Sequence, residues 1–263
     1  LEKESILKIA EKEKPDLVVA ACIDQAIPSM AYVSEKLGLN CHLSYETALS
    51  LTNKALMKEI FLNNQIPTSR YIVIDDISKA DLTVFCFPIV VKPADSNSSK
   101  GVEKVNSEPE LKSAFGRAMS FSKSGKVIIE EFKHGEEYSV DVIIRDHEPE
   151  ILMITKNKKI KQNYKNFTII QNVYDFDAEK RVKEIIKEIA RKISKAFNLN
   201  NVPLLIQLLV DGNDIWVLEF SSRIGGGSKC HFIKRIAGFD IIDYYLDSIF
   251  KNDSNAAAQP RHT

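Results

Sequence analysis

Residues 127–140, Val-Ile-Ile-Glu-Glu-Phe-Lys-His-Gly-Glu-Glu-Tyr-Ser-Val, limit the folds open to this chain more than any other stretch. An apolar run, Val127 to Ile129, ends in two carboxylates, Glu130 and Glu131. A polar bend around Gly135 follows, and Tyr138 to Ile144 resumes as an alternating strand. A buried strand that leads straight into charge is a poor core element, because an unpaired carboxylate is costly to desolvate. It suits the rim of a ligand site. The bend offers backbone N–H and C=O groups to a planar base, and a carboxylate a few residues on can accept from ribose hydroxyls. Taken alone, the stretch reads better as a surface hairpin with solvated glutamates; its neighbours are what favour the ligand rim.

With 263 residues the chain can bury one large or two modest cores. Its 36 basic side chains balance 36 acidic ones, which argues against a dedicated nucleic-acid or membrane surface. Cys22, Cys41, Cys86 and Cys230 are scattered through apolar sequence without metal-ligand spacing, and read as reduced thiols of a cytoplasmic protein. No apolar stretch is long enough to span a bilayer, and no signal-peptide pattern opens the chain.

Periodicity predicts the remaining elements. Residues 2–13 read as a helix, Leu17 to Ala21 as a buried strand, and 25–37 as a helix stopped by Gly38, together part of a doubly wound α/β unit. Residues 44–64 read as one helix, with Ser44 as N-cap, an apolar stripe of Leu51, Ala55, Leu56 and Ile60, and Lys54 and Lys58 on a shared face. Tyr71 to Ile74 reads as a strand and 76–85 as a loop or short helix. Ser107-Glu108-Pro109-Glu110 is a capping box opening a helix over 108–120. A strand is expected over 150–155, and a long helix from a cap at Asp177 to Asn198, its stripe of isoleucines marking core scaffold. Helices over 229–237 and, capped by Asp240, over 241–250 close the fold, while 255–263 is expected to be a disordered tail.

Several residue patterns carry chemistry. Phe87 to Val91 is an apolar run that ends in Lys92 and is locked by Pro93. A lysine there has its stem held by packing and its ammonium held at one place, which suits a fixed phosphate. The loop 94–102 after it, with Ser98, Ser99 and Gly101, is small enough to bring backbone N–H groups to phosphate oxygens, although it is no Walker A loop. Lys156, Lys158, Lys159, Lys161 and Lys165 make a positive run without an acid. It reads as a solvated loop, with one lysine of the 156–159 cluster, Lys156, closing over a phosphate.

Gln207 and Glu219 each interrupt a buried strand, 204–210 and 215–220, and a buried polar group needs a partner. They share a face only if the connection carries an odd number of residues, most simply three, together with a bulge or without one. Glu219, Ser221 and Arg223, spaced by two, face one side of an extended chain. Gly225-Gly226-Gly227 before a helix can form an anion site, with Lys229 and His231 as candidate acyl-substrate contacts or ordinary surface groups.

Lysine, small-residue loop, acidic bend and late acidic strand, in that order, resemble the ATP-grasp superfamily over almost the whole chain. The nearest resemblance is to carboxylate–amine ligases and to the ATP-grasp domain of the carbamoyl-phosphate-synthase large chain. The resemblance implies an α+β fold, two α/β lobes clasping ATP. It divides the chain into a partial N-terminal α/β domain (1–45), whose upstream part would be about two βα units, and an ATP-grasp domain (46–254) with a lid lobe over about 87–131.

The resemblance also implies roles. Lys92 would contact the α- and β-phosphates, and Lys54 a phosphate, unless Lys54 is an ordinary solvated helix lysine. Glu130 and the backbone at Glu131, Phe132 and Lys133 would meet adenine, and Glu137 the ribose; Glu131 and Glu136 are the alternative acids. Glu219 would bridge Mg²⁺, or Mn²⁺, with Gln207 as partner. Ser221, where the family usually has asparagine, would be a further metal ligand, weaker and shorter in reach, and Arg223 would hold the transferring phosphoryl group. The implied activity is an ADP-forming ligase that activates a small-molecule carboxylate as an acyl phosphate for an amine. Homodimerisation is compatible with it, and neither nucleic acid nor membrane is a partner. The alternatives are an ATP-binding module without turnover and a carbamate- or bicarbonate-phosphorylating unit. A protein-kinase reading fails for want of His-Arg-Asp and Asp-Phe-Gly elements.

Overall fold

Alternation along the strands sorts this molecule into two antiparallel sheets with a gap between them. The structure, a computed structural model, describes residues 2–96, 99–159, 167–175 and 177–250. Expectations for Ser98, Lys161, Lys165 and the tail 255–263 concern residues outside that set. In order, the chain forms α1 (Lys3–Glu13), α2 (Ile27–Leu37), α3 (Tyr45–Thr52), α4 (Lys54–Asn63), β1 (Tyr71–Ile74), β2 (Ile89–Pro93), β3 (Glu103–Val105), α5 (Glu108–Phe121) and β4 (Val127–Glu131). It continues with β5 (Glu136–Arg145), β6 (Glu148–Lys159), β7 (Ile169–Tyr174), α6 (Lys180–Ala196), β8 (Val202–Asp211), β9 (Asp214–Ser221), α7 (Lys229–Ala237) and α8 (Ile241–Phe250). The expected α+β class holds. Among the described residues no helix is long and apolar enough to cross a membrane.

The smaller sheet has the order β1-β4-β2-β3. Ile89, Val91, Val127 and Ile129 point to one face and pack on Leu111, Ala114, Phe115 and Ala118 of α5. The period of two then sends Val90, Lys92 and Glu130 to the opposite face, toward the larger sheet. This sheet reaches back to Tyr71, upstream of the lobe expected from 87 onward.

The larger sheet has the order β7-β6-β5-β8-β9. Tyr138, Val140, Val142 and Ile144 of β5 and Leu204, Ile206 and Leu208 of β8 meet α2, α3, α4 and α6 in the main core. On the other face Ile143 packs beneath α7 and α8, while Glu137 opens into the gap.

Several local expectations change. The strand expected over 150–155 runs on through Lys159 and pairs with Ile169–Tyr174, so Lys156, Lys158 and Lys159 stand on a strand and not in a solvated loop. Residues 17–21 join no strand ladder: Ala21 C=O accepts instead from Ile224 N–H at 3.1 Å, and apolar sequence alone supplies no neighbour strand. The expected helix 44–64 is two helices. Ser44 caps the first as read, accepting from Thr47 N–H at 3.0 Å; Asn53 then turns extended and caps the second, accepting from Ala55 N–H at 3.0 Å and Leu56 N–H at 3.3 Å. The break rotates α4 so that Met57, Lys58 and Phe61 turn inward and Leu56 outward. The capping box does not form: the Ser107 side chain makes no cap bond, and Glu110 accepts from Asn106 N–H at 3.2 Å, one residue before the cap. Glu179, not Asp177, precedes α6, again without a side-chain cap.

The β8–β9 connection is a two-residue turn at Gly212 and Asn213, since Asp211 pairs with Asp214. The expected three-residue loop is therefore corrected. A bulge restores the register: Leu208 pairs with Val217 but Gln207 with Glu219, leaving Leu218 as the extra residue. The bulge, not the loop length, sets the two polar groups opposite each other.

Candidate nucleotide-binding site

Between the sheets lies a cavity of about 990 Å³, within the size range of small-molecule sites. Val90, Lys92 and Glu130 form its roof, and the bend 131–137 its back wall. Gln207, Leu209, Trp216, Leu218 and Glu219 form its floor, and Lys156 to Lys159 with Phe167 and Ile169 its side. Lys54, Ser96 and Ser99 close the remaining edge. Lys54, Lys92, Ser99, Glu130, Glu131, Phe132, Lys133, Glu137, Lys156, Gln207 and Glu219, singled out in sequence, thus surround one space.

The roof is an ion cluster. Lys92 pairs with Glu130 Oε1, Lys58 Nζ lies 3.4 Å from Oε2, and Ser69 donates to Oε2 at 2.7 Å. Burial alone would push the Glu130 carboxyl up. Lys58, Lys92 and the two hydrogen bonds overcome it and hold the group at about 2. Glu130 therefore faces the cavity with its charge already engaged. Lys58, in sequence only a neighbour of Lys54 on a helix face, is 1% exposed and is one of two polar residues that the sequence does not single out. The available signal was Asn53, a strong N-cap residue directly before Lys54.

Along the back wall Lys133 pairs with Glu131 at 2.7 Å and sits 5.0 Å from the Trp216 ring. Gly135 has φ +140° and lies against the backbone of Val210. Glu137 is held by Lys159 at 2.5 Å and accepts from Asn157 at 2.9 Å, while Lys156 pairs with Glu136 at 3.0 Å and lies 3.7 Å from Asp175.

At the other end Lys54 Nζ bridges Glu219 at 3.0 Å and the Ser96 carbonyl at 2.8 Å, tying the 94–96 segment to the floor. Lys54 is thus no free surface lysine. Arg223 and Ser221 do not line the cavity. Arg223 is held in a fork by Asp24, Nε to Oδ1 at 2.5 Å and Nη2 to Oδ2 at 2.7 Å. Burial would raise the Asp24 carboxyl, but Arg223, the Ser221 hydroxyl and Lys54 together keep it below its ordinary range. Asp24 is the other of those two residues, and nothing around it in sequence marks it.

Gly101 also stands off the lining. At φ +71° it lies on Phe121 and Pro93, where a Cβ would come within 2.8 Å of Phe121 Cδ2, so it shapes the loop without facing the cavity. Lys229 is not free for a substrate either: it pairs at 2.8 Å with Asp141, which is 1% exposed, and His231 is on the surface.

Among the described residues no group of three or more His, Cys, Asp or Glu side chains could cage a metal ion. One carboxylate, Glu219, opposite one amide oxygen, Gln207, fits a hard cation that keeps most of its ligands from water and phosphate.

A family model described as D-ala D-ala ligase C-terminus matches residues 62–232. A D-alanine–D-alanine ligase of Lacticaseibacillus casei is 28% identical over 200 residues, 73% of this chain and 54% of that protein. An L-arginine-specific L-amino acid ligase of Bacillus subtilis is 25% identical over 224 residues, 82% of this chain and 54% of that protein. The chain spans about half the length of the curated relatives it matches. The crystal structure of an L-amino acid ligase from Bacillus licheniformis has the same fold: TM-score 0.81 at 20% identity, over 95% of this chain and 61% of that one.

Proposed function

The chain belongs to the D-ala D-ala ligase C-terminus family, with the ATP-grasp fold, and from that premise we propose that it is the nucleotide-binding and phosphoryl-transferring part of an ADP-forming carboxylate–amine ligase. One observation carries the reading: Lys92 on the roof and Glu219 on the floor face a single cavity of about 990 Å³ whose back wall is an irregular bend.

In this proposal the purine lies against the backbone of 131–133 and the apolar floor of Leu209, Trp216 and Leu218, with Glu137 toward the ribose. The phosphates run toward Lys92 and Lys54. A carboxylate oxygen of the co-substrate attacks the γ-phosphorus. The new O–P bond forms as the bond to the bridging oxygen breaks, and ADP departs with that electron pair. The amine then attacks the acyl carbon, loses a proton and expels phosphate. Nearly all of the protein's work is positioning and charge stabilisation. Glu219 and Gln207 would hold Mg²⁺ or Mn²⁺, which when bound neutralises phosphate charge. Ser221, beside Asp24, is left out of that ligand set. Arg223 does not line the cavity, but its guanidinium feels the Glu219 charge, and in this proposal it serves the transferring phosphoryl group from beside the site.

The relatives' names make an amino acid the favoured carboxylate. The test is ADP release by the full-length protein across a panel of D- and L-amino acids and hydroxy acids. ADP formed with one of them supports the proposal; AMP and pyrophosphate as products would overturn it. A second reading, nucleotide binding without turnover, is favoured by the engagement of Lys54 with Glu219 and of Arg223 with Asp24. Tight Mg-ATP binding with no ADP formed would select it.

A further inference from the structure

Glu130 is one buried carboxylate shared by two lysines that differ in what they can reach. Lys92 lines the cavity; Lys58 does not. Lys58 spends its three donors inside the protein, on Thr68 Oγ1 at 2.6 Å, Ser69 Oγ at 3.3 Å and Glu130 Oε2 at 3.4 Å. Thr68 in turn donates to the Val217 carbonyl at 2.9 Å, so the lysine braces the roof strand β4 against the floor strand β9. Isolated ammonium groups are not buried in this way without cost, and this one touches no surface and no ligand space.

The charge sum shows what it does. Glu130 and Lys92 alone would cancel. With Lys58 the triad carries one net positive charge, and Lys92 is the cation of the pair that faces the cavity. We propose that Lys58 is a positioning residue for polyphosphate binding: by engaging the Glu130 carboxylate it leaves Lys92 with uncompensated positive charge, held at a fixed point on the cavity roof. The inference rests on the reading above that the cavity takes a nucleotide.

Titration gives a handle. The groups facing Lys58 are Glu130 from β4, Lys92 from β2, the Tyr71 ring 5.2 Å away on β1, and the Thr68 and Ser69 hydroxyls. Burial pushes the ammonium down, Glu130 pushes it up and Lys92 pushes it down, to a net value of about 8. Anion affinity supplied through Lys58 is therefore present below that pH and is lost above it.

The experiment measures ADP binding without divalent metal, read by fluorescence of Trp216, which is the sole tryptophan of the chain and lines the cavity. The wild-type dissociation constant should rise on the order of tenfold between about pH 7 and about pH 9.5. Lys58→Arg, which stays charged, should bind like wild type at neutral pH and lack the alkaline loss. Lys58→Met should bind on the order of tenfold more weakly and show no such pH dependence. The double variant Lys58→Met/Glu130→Gln, whose net charge is again positive, should recover most of that loss. Tripolyphosphate, which has no base to touch Glu130, should compete with ADP in the same order. A merely structural lysine would alter melting but not the alkaline limb or the double-variant rescue. Wild-type binding with Lys58→Met unchanged would overturn the role of Lys58 and leave the nucleotide reading standing. Absence of ADP binding by wild type would overturn both. Should Lys58→Met fail to fold, the wild-type and Lys58→Arg pH profiles decide alone: a limb shared by both sinks the proposal.

Discussion

Gly135→Ala tests whether the bend between β4 and β5 is a built feature. Gly135 has φ +140°, and a Cβ there would lie 2.7 Å from the Val210 carbonyl oxygen and 3.0 Å from its carbon. Neither atom can swing aside, because Val210 belongs to β8 and pairs with Glu136, the next residue. The conformation alone costs a non-glycine residue about 1–3 kcal/mol, and the backbone clash adds on the order of 1 kcal/mol or more. A total of about 3 kcal/mol corresponds to a fall in Tm of about 6–12 °C for a chain of this size. The bend also presents 131–133 to the cavity, so ADP affinity read at Trp216 should fall with it. Gly116→Ala is the control: it lies within α5 with no atom within 4 Å of the added Cβ, and should gain about 0.5–1 kcal/mol. Thermal and urea melts of both variants decide the matter. If Gly135→Ala melts no lower than wild type, the bend is not held by that close approach and the argument for a rigid back wall is wrong.

Other perturbations separate chemistry from folding. Glu219→Gln should lower ADP release on the order of a hundredfold while changing melting by less than about 1 kcal/mol, because its Lys54 ion pair is partly exposed; equal turnover by the variant would remove Glu219 from the mechanism. Phe61→Ala should cost about 3–5 kcal/mol in urea unfolding, since the ring is fully buried and meets Phe197 at 6.1 Å and Phe220 at 6.0 Å. Burial holds His42 neutral, down to about 4 from an ordinary 6.5, against the pull of the Ser222 carbonyl. The unfolded chain takes up that proton first as pH falls, so stability is intact above pH 6.5 and about 3 kcal/mol is lost by about pH 4. Glu130, held at about 2 against 4.5, adds a second loss that begins below pH 4.5. Urea midpoints of wild type and His42→Gln across that range should diverge at neutral pH and converge in acid; parallel curves would refute the assignment.

Much of the fold was legible because strand alternation and helical stripes are local. Val90 and Lys92 had to face away from Ile89 and Val91, and the isoleucines of α6 had to face a core. The misreadings share one cause. At Asn53 the apolar stripe runs on in sequence although the backbone breaks, and the Lys54 N–H bonds to Ala94 C=O at 2.7 Å, a partner 40 residues away. At Leu218 one inserted residue changes which side chains share a face, yet nothing beside it differs from an ordinary strand. Residues 17–21 have strand composition but no neighbour to complete a ladder.

Sequence by itself determined which charges and apolar faces this protein owns: an end-of-strand lysine, an acidic bend, and a glutamine and a glutamate set in adjacent strands. Those follow from side-chain chemistry and short periods. Only the tertiary structure decided which cation meets which acid: Lys58 and Lys92 with Glu130, Lys54 with Glu219, Arg223 with Asp24, Lys229 with Asp141. Each of those contacts joins residues tens to hundreds of positions apart, and long side chains settle on whichever opposite charge the packed backbones bring within reach.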